Sequence, residues 1–342
     1  MYSNDAFKQI RPDAFSMEVP SGAFRLLQLT DLHLGFGPLS VRQDKQALAA
    51  VETLVNRTSP DFIVITGDSI YPFLPSSGTL NNKAEAEKLL AFLDGFKIPY
   101  ALVMGNHDTE LGSRLDREEL GHVFETGEYS IFTGGPEDIY GTGNYMLELR
   151  TGGELRTVLC FLDSNMYVNK LFFSGFDRIH SDQTAWCMSA LEEYQREKPN
   201  LEALAFYHMP LREFKEAYEK MKLGDRSVIY NSGTVAEAED YFGISSLPGD
   251  FFNKALENGA IKYMFCGHDH LNNISLTYRG ITMTYGMSID CLGYTGINRR
   301  HTQRGATQIE LTPDNKIIIT PVPLTGFVTK KVRGADAKRE TD

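Results

Sequence analysis

Residues 24–33 read FRLLQLTDLH, a short apolar run that ends in Thr30, Asp31, Leu32 and His33. An apolar run of this length reads as a buried strand. A carboxylate and an imidazole two residues apart follow it directly. The arrangement recurs along the chain. Residues 62–68, FIVITGD, give a β-branched strand and then Asp68. Residues 100–108, YALVMGNHD, end in Asn106, His107 and Asp108. Residues 203–210, ALAFYHMP, end at His208, and residues 263–270, YMFCGHDH, end in His268, Asp269 and His270. Five strands therefore each deliver a carboxylate, amide or imidazole into the loop that follows. In open α/β sheets ligands bind beyond the carboxyl ends of the strands, so all five sets are expected to converge there.

The intervening segments supply helices. Arg42–Arg57 places Ala47, Leu48, Val51, Leu54 and Val55 on one helical face, and Lys83–Phe96 does the same with Leu89, Leu90 and Leu93. Ser181–Arg196 reads as a helix, and Asp250 caps another that stops near Gly259. Further strands are expected at Tyr145–Leu149 and Thr157–Leu162. The chain closes with strands at Asn273–Tyr278, Thr282–Tyr285, Ala306–Leu311 and Lys316–Thr320, with no helix between them, which predicts antiparallel pairing. Alternating strands and helices predict layers of helix against sheet. Two connections, Asn106 to Gly143 and Pro210 to Pro248, are long enough to be read as lids or binding surfaces. The polar stretch Lys330–Asp342 reads as a disordered tail.

Composition bounds the function. With 342 residues, 42% of them hydrophobic, the chain can bury a large core. It has no apolar run of membrane-spanning length. Its first twenty residues lack the pattern of a signal peptide, so a cytoplasmic location is expected. The four cysteines, Cys160, Cys187, Cys266 and Cys291, form no C-x-x-C pair and are expected to be buried thiols. The net charge of −11, without any Lys/Arg-rich run, argues against nucleic acid and anionic membranes as partners. A phosphate substrate stays compatible with that charge, because bound cations invert the local field.

A pair of divalent cations needs hard oxygen donors together with imidazoles, and one carboxylate can bridge two ions about 3.5–4 Å apart. Gly67, Gly105 and Gly267 would let the backbone turn sharply beside such ions. Each fragment alone is weak, since a lone histidine is more often structural than a ligand. Five of the eight histidines lie in these strand-end motifs, which sets the group apart from chance. His122, His180 and His301 have no companion ligand and read as ordinary residues.

The ordered set D-x-H, G-D, G-N-H-D, H and G-H-D-H resembles the calcineurin-like metallophosphoesterase superfamily over roughly Phe24 to Leu311. The segments GNYMLEL (143–149), CFLDS (160–164), FYHMPL (206–211) and MFCGHDHLNN (264–273) further resemble the branch of purple acid phosphatases and Dcr-type phosphatases. The resemblance implies a four-layer α/β/β/α sandwich of mixed sheets flanked by helices. It would span residues 21–325, between an N-terminal extension (1–20) and a polar tail (326–342). It implies that Asp31, His33 and His270 hold a first metal, that Asn106, His208 and His268 hold a second, and that Asp68 bridges them. Two ions chosen from manganese, iron and zinc suit that donor set. Purple acid phosphatases have glycine at the position of His33 and use a tyrosine ligand; here Tyr71 keeps the spacing but is read as a wall residue.

Such cations lower the pKa of bound water and neutralise phosphoryl charge. The expected reaction is hydrolysis of a small phosphate mono- or diester by hydroxide, without a covalent intermediate. His107 is expected beside the scissile bond, with Asp108 accepting its other N–H, while Asp269 is read as structural. Asn165, Tyr167, Tyr71, Arg212, Arg299 and Arg300 are candidates for the substrate wall. The competing reading is a non-catalytic scaffold that keeps the fold to bind a protein.

Overall fold

The computed structural model describes residues 7–169, 174–294 and 304–324. The described residues begin with a hairpin, β1 (Phe7–Arg11) and β2 (Ala14–Glu18). It continues through β3 (Phe24–Leu29), α1 (Val41–Thr58), β4 (Phe62–Thr66), α2 (Asn82–Asp94), β5 (Tyr100–Val103) and α3 (Arg117–Phe124). Next come β6 (Tyr145–Thr151), β7 (Glu154–Phe161), a small hairpin of β8 (Tyr167–Asn169) and β9 (Ser174–Phe176), α4 (Ser181–Glu197) and β10 (Ala203–Phe206). The last part holds α5 (Arg212–Lys222), β11 (Val228–Ser232), α6 (Phe251–Asn258), β12 (Ile261–Cys266), β13 (Ser275–Tyr278), β14 (Ile281–Tyr285), β15 (Gly305–Leu311) and β16 (Ile317–Pro323).

Two sheets form the middle layers. One has the order β16-β15-β3-β4-β5, the other β1-β2-β6-β7-β10-β12-β14-β13-β11. The period of two along a strand sorts side chains between two cores. In β10, Leu204 and Phe206 enter the core shared with the five-stranded sheet, while Ala203 and Ala205 enter the core under the outer helices. In β7 the same division separates Leu159 and Phe161 from Val158 and Cys160. A ladder of stacked rings, Tyr145–Phe161–Phe206–Phe265, crosses β6, β7, β10 and β12 with centroids 4.7, 5.5 and 5.0 Å apart. α1 packs on β3 and β15, and α6 packs on β12 beside α4. Helix, sheet, sheet and helix make four layers, as expected.

Details differ from the sequence reading. The long connections carry α3 and α5. α3 begins with a capping box in which Asp116 accepts from the Glu119 N–H and Glu119 reaches back to the Asp116 N–H. α5 sets Phe214, Ala217, Tyr218 and Met221 on one helical face, with Phe214 and Ala217 buried, so its periodicity was present in the sequence. The last four strands pair antiparallel two by two, but β13–β14 joins the larger sheet and β15–β16 the smaller. β14 also runs parallel to β12. Residues 7–18, read as part of an extension, form the outer edge of the larger sheet, with β2 parallel to β6. The tail at 326–342, Arg299, Arg300 and His301 lie outside the described residues. All four cysteines are buried and free. Among the described residues no helix is long and apolar enough to cross a membrane.

One core residue breaks the rule that buried charge is paired. Glu85 of α2 is 1% exposed and neither of its carboxyl oxygens has a hydrogen-bond partner. Burial, reinforced by Asp44 and Asp108, pushes its pKa from 4.5 up to about 9. Between those values the folded chain holds a proton that the unfolded chain releases, so stability falls as pH rises through that window. The slope is about 1.4 kcal/mol per pH unit at most. Glu85→Gln is therefore expected to melt higher than wild type at pH 8 and to match it near pH 4.5. Calorimetric melting at the two pH values checks this.

Candidate metal centre

The five motif loops meet at the carboxyl ends of β3, β4, β5, β10 and β12. Backbone bonds join the first two: Asp31 N–H donates to Gly67 O at 3.1 Å, and His33 N–H to Asp68 O at 2.9 Å. Four of the site residues, Asp31, His33, Asp68 and His268, have left-handed backbone with φ of 51°, 46°, 50° and 79°. Such conformations are costly for non-glycine residues and persist where the surroundings enforce them. Crowding accounts for the motif glycines. A Cβ on Gly67 would lie 2.4 Å from His208 Nδ1, and one on Gly267 would lie 1.9 Å from Thr30 Oγ1.

The side chains converge on Asp68. Its Oδ1 accepts from the His107 N–H at 2.8 Å. Its Oδ2 faces His208 Nε2 at 3.1 Å and His33 Nε2 at 3.4 Å. Three potential donor trios share this carboxylate: His33–Asp68–His107, Asp68–His208–His268 and Asp31–Asp68–His270, each with its atoms within 4.8 Å of one another. Asn106 Oδ1 lies 3.1 Å from His208 Nε2, and His268 Nδ1 lies 3.3 Å from it. Asp31, whose two oxygens accept from the His268 N–H, faces His270 Nε2 at 3.6 Å. All seven residues named from sequence as metal ligands thus stand around one centre, and Asp31, His33, Asp68, Asn106 and His208 are 0–1% exposed.

The chemistry of these atoms fits cations. His208 Nδ1 lies 2.9 Å from Thr66 O, the geometry of an N–H donating to a carbonyl, so the neutral imidazole presents its lone pair at Nε2. Opposite it stand Asn106 Oδ1 and Asp68 Oδ2, which are acceptors as well. His33 Nε2 and Asp68 Oδ2 are buried without a hydrogen bond. Facing acceptors need a positive charge between them. The field of the site points the same way. Burial opposes protonation of His33, but Asp290, Asp68 and Asp31 overcome it and raise its pKa to about 10. Burial likewise opposes protonation of His208, and Asp68 raises its pKa to about 9. Asp68 is held well below the usual carboxylate range: burial works against this, and His208 and His107 outweigh burial. His268 is lowered by burial and by His208.

Asp108 does not orient His107. Its Oδ1 accepts from the N–H groups of Ser69 and Ile70 at 2.8 and 3.0 Å, and its Oδ2 from the Gly105 N–H at 2.7 Å. It is a loop cap that ties the β4 and β5 motifs together. The carboxylate at His107 is Glu110, whose Oε1 contacts Nδ1. Glu110 is 6% exposed and sits three residues after His107, a spacing that a search for carboxylates near the motif would have caught. Asp290 was also missed. It follows β14 and is fully buried, with its two oxygens 3.7 Å from His33 Nδ1 and 3.2 Å from His270 Nδ1. Its carboxylate also accepts from the N–H groups of Leu292 and Gly293, both at 2.7 Å. The available signal was its position just past a strand, as with the other motifs.

The wall candidates divide. The Tyr71 ring stands edge-on to His33 and to His107, with both centroid distances 5.1 Å. Burial and Glu110 push its phenol up, which keeps it neutral. Tyr167 Oη accepts from Asn106 Nδ2 at 2.9 Å, which turns the amide oxygen of Asn106 toward the centre. Phe176, across the same hairpin, meets His268 edge-on at 4.4 Å. Asn165 is buried and bonds to Arg178 O and Gln183, a structural position. Arg212 is exposed at the start of α5. Asp269 accepts from the Gly243 N–H and Tyr285 Oη, in keeping with a structural role. His122 and His180 pair with Glu125 and Asp177 away from the centre.

Comparison with known proteins gives concordant results. A family model described as calcineurin-like phosphoesterase matches residues 24–272. Phosphatase DCR2 of Saccharomyces cerevisiae is 28% identical over 295 residues, covering 79% of this chain and 48% of the yeast protein. The chain thus spans about half the length of that relative. An Arabidopsis thaliana protein named Probable inactive purple acid phosphatase 29 is 26% identical over 311 residues, covering 82% of this chain and 76% of the plant protein. The crystal structure of a dimetal phosphatase from Danio rerio superposes with a TM-score of 0.58 at 12% identity, covering 88% of this chain and 96% of that one, a likeness of fold.

Proposed function

The chain belongs to the calcineurin-like phosphoesterase family, and from that we propose that it is a two-metal phosphohydrolase acting on small phosphate mono- or diesters. The observation that carries the proposal is the convergence of six donor residues on a seventh, Asp68, with acceptor atoms facing one another. Asp31, His33 and His270 would hold one ion, Asn106, His208 and His268 the other, and Asp68 both. When bound, the ions would supply a nucleophile from water at neutral pH and neutralise phosphoryl charge. The chain's own groups do the rest. Glu110 fixes His107 through Nδ1, so the opposite ring nitrogen can hold a proton for the leaving oxygen. Tyr71 walls the site as a neutral phenol.

The test is hydrolysis of p-nitrophenyl phosphate and its bis-ester by the manganese-loaded chain. His107→Ala should keep both ions and lose roughly 10²–10⁴ in turnover. Loss of metal from that variant would overturn the division of roles. Asp290→Asn should weaken manganese binding by about 10–100-fold, because the partner of two ligand imidazoles is lost. Calorimetric titration of Mn²⁺ reads that change directly.

A second reading draws on the plant relative whose name calls it inactive. It makes this chain a scaffold that binds cations and a protein without turning over esters. Retention of His107, Glu110 and the full donor set favours the enzyme. Metal binding without turnover of either ester would favour the scaffold.

A further inference from the structure

Asn106 is the one amide among the seven donors. An amide has two ends of nearly equal shape and opposite chemistry. Its oxygen offers lone pairs to a cation, and its nitrogen offers two hydrogens that a cation repels. A carboxylate has no wrong end of this kind. Asn106 is fully buried, so solvent does not hold the nitrogen end. The partner at that end therefore decides whether the residue serves as a ligand. That partner is Tyr167 Oη, 2.9 Å from Nδ2, while Oδ1 stays 3.1 Å from His208 Nε2.

Tyr167 stands on a built support. It pairs across the β8–β9 hairpin with Phe176, with ring centroids 5.8 Å apart. The Asp177 N–H closes the root of the hairpin on Met166 O at 3.0 Å, and Asn165 Nδ2 donates to Arg178 O at 2.7 Å just beyond it. The Thr109 hydroxyl, in the loop that carries Asn106, donates to Met166 Sδ at 3.2 Å. The hairpin and the Asn106 loop are thus joined beside the phenol. From the same hairpin the Phe176 ring meets His268 at 4.4 Å, with planes 86° apart. Asn106 and His268 are both donors assigned to the second ion. Donors of the first ion have a different support. Asp290 lies 3.7 Å from His33 Nδ1 and 3.2 Å from His270 Nδ1, and the Tyr294 ring meets His270 at 5.4 Å.

Building on the two-ion reading, we propose that Tyr167 is a positioning residue for Asn106, and that through it the β8–β9 hairpin sets the affinity of the second ion separately from that of the first. Loss of the hydroxyl leaves a buried amide nitrogen without its acceptor. The amide can then turn that nitrogen toward the centre, and each binding of the second ion must turn it back.

The test is calorimetric titration of Mn²⁺ into the metal-free full chain. Wild type should take up two ions. Tyr167→Phe should bind one of them about tenfold more weakly and the other within about twofold of wild type, the effect of losing a group that orients a ligand. Val168→Ala, on the same strand with a side chain 50% exposed, should change neither. The loss should also depend on the amide. In an Asn106→Asp background, where both ends are oxygen, Tyr167→Phe should weaken the same ion by less than about threefold. A general loosening of the hairpin would give the same loss in both backgrounds. Equal weakening of both ions, no weakening, or an undiminished loss in the Asn106→Asp background would overturn the proposal and leave the two-ion reading standing. A wild-type chain that binds fewer than two ions would sink that reading, and the proposal with it.

Discussion

Asp68→Ala should release both cations and lower turnover by more than about a thousandfold. Asp68 is the residue that three donor trios share. Its Oδ2 is the anion between His33 and His208, and its Oδ1 anchors the His107 N–H. Removing it takes away the carboxylate between His33 and His208, and leaves Asp31 beside His270 and Asp290 beside His33 and His270. The central negative charge that would offset an entering cation is then gone. Asp68→Asn keeps the size and an acceptor for His107 but removes the charge, so it should retain the fold while binding cations far more weakly. Elemental analysis after dialysis, with circular dichroism as the folding control, reads both variants. A metal content equal to wild type in Asp68→Ala would defeat the assignment of this carboxylate.

Gly105→Ala should do nearly as much damage without touching a donor. A Cβ there would lie 2.0 Å from Asp68 Oδ1 and 2.3 Å from Asp68 N, distances at which something must move. The groups in its way are the central carboxylate and its own backbone, and Asp108 ties that backbone to Gly105. Overpacking costs about 1–3 kcal/mol in an ordinary core. Here the same displacement shifts the Asp68 carboxylate among its imidazole neighbours, and turnover should fall by more than about a hundredfold. Gly22→Ala, where an added Cβ meets nothing within 4 Å, is the matched control and should be silent. Crystals of Gly105→Ala would show whether Asp68 has moved. An unmoved carboxylate with full activity would refute the steric argument.

The candidate donors were legible because buried strands announce themselves. FIVIT and YALV are continuous apolar runs, and a polar residue placed just past such a run has few structural reasons to be there. What sequence hid was reach. Asp108 adjoins His107 in the chain, yet its carboxylate turns back to Ser69, Ile70 and Gly105, while Glu110 swings round to the imidazole. Asp290 stands alone in sequence and finds His33 and His270 only through the fold. The division of the last strands between the two sheets was likewise invisible. Pairing depends on partners such as β3 for β15, more than 250 residues away, and local patterns carry no address for them.

Asp31, Asp68 and Asn106 follow strands of the five-stranded sheet, whereas His208, His268 and His270 follow strands of the other. Cations held between them would fasten the two halves of the molecule across their shared interior. By mass action, whatever binds only the folded form raises its melting temperature. Metal supply would then govern the durability of the protein as well as its chemistry.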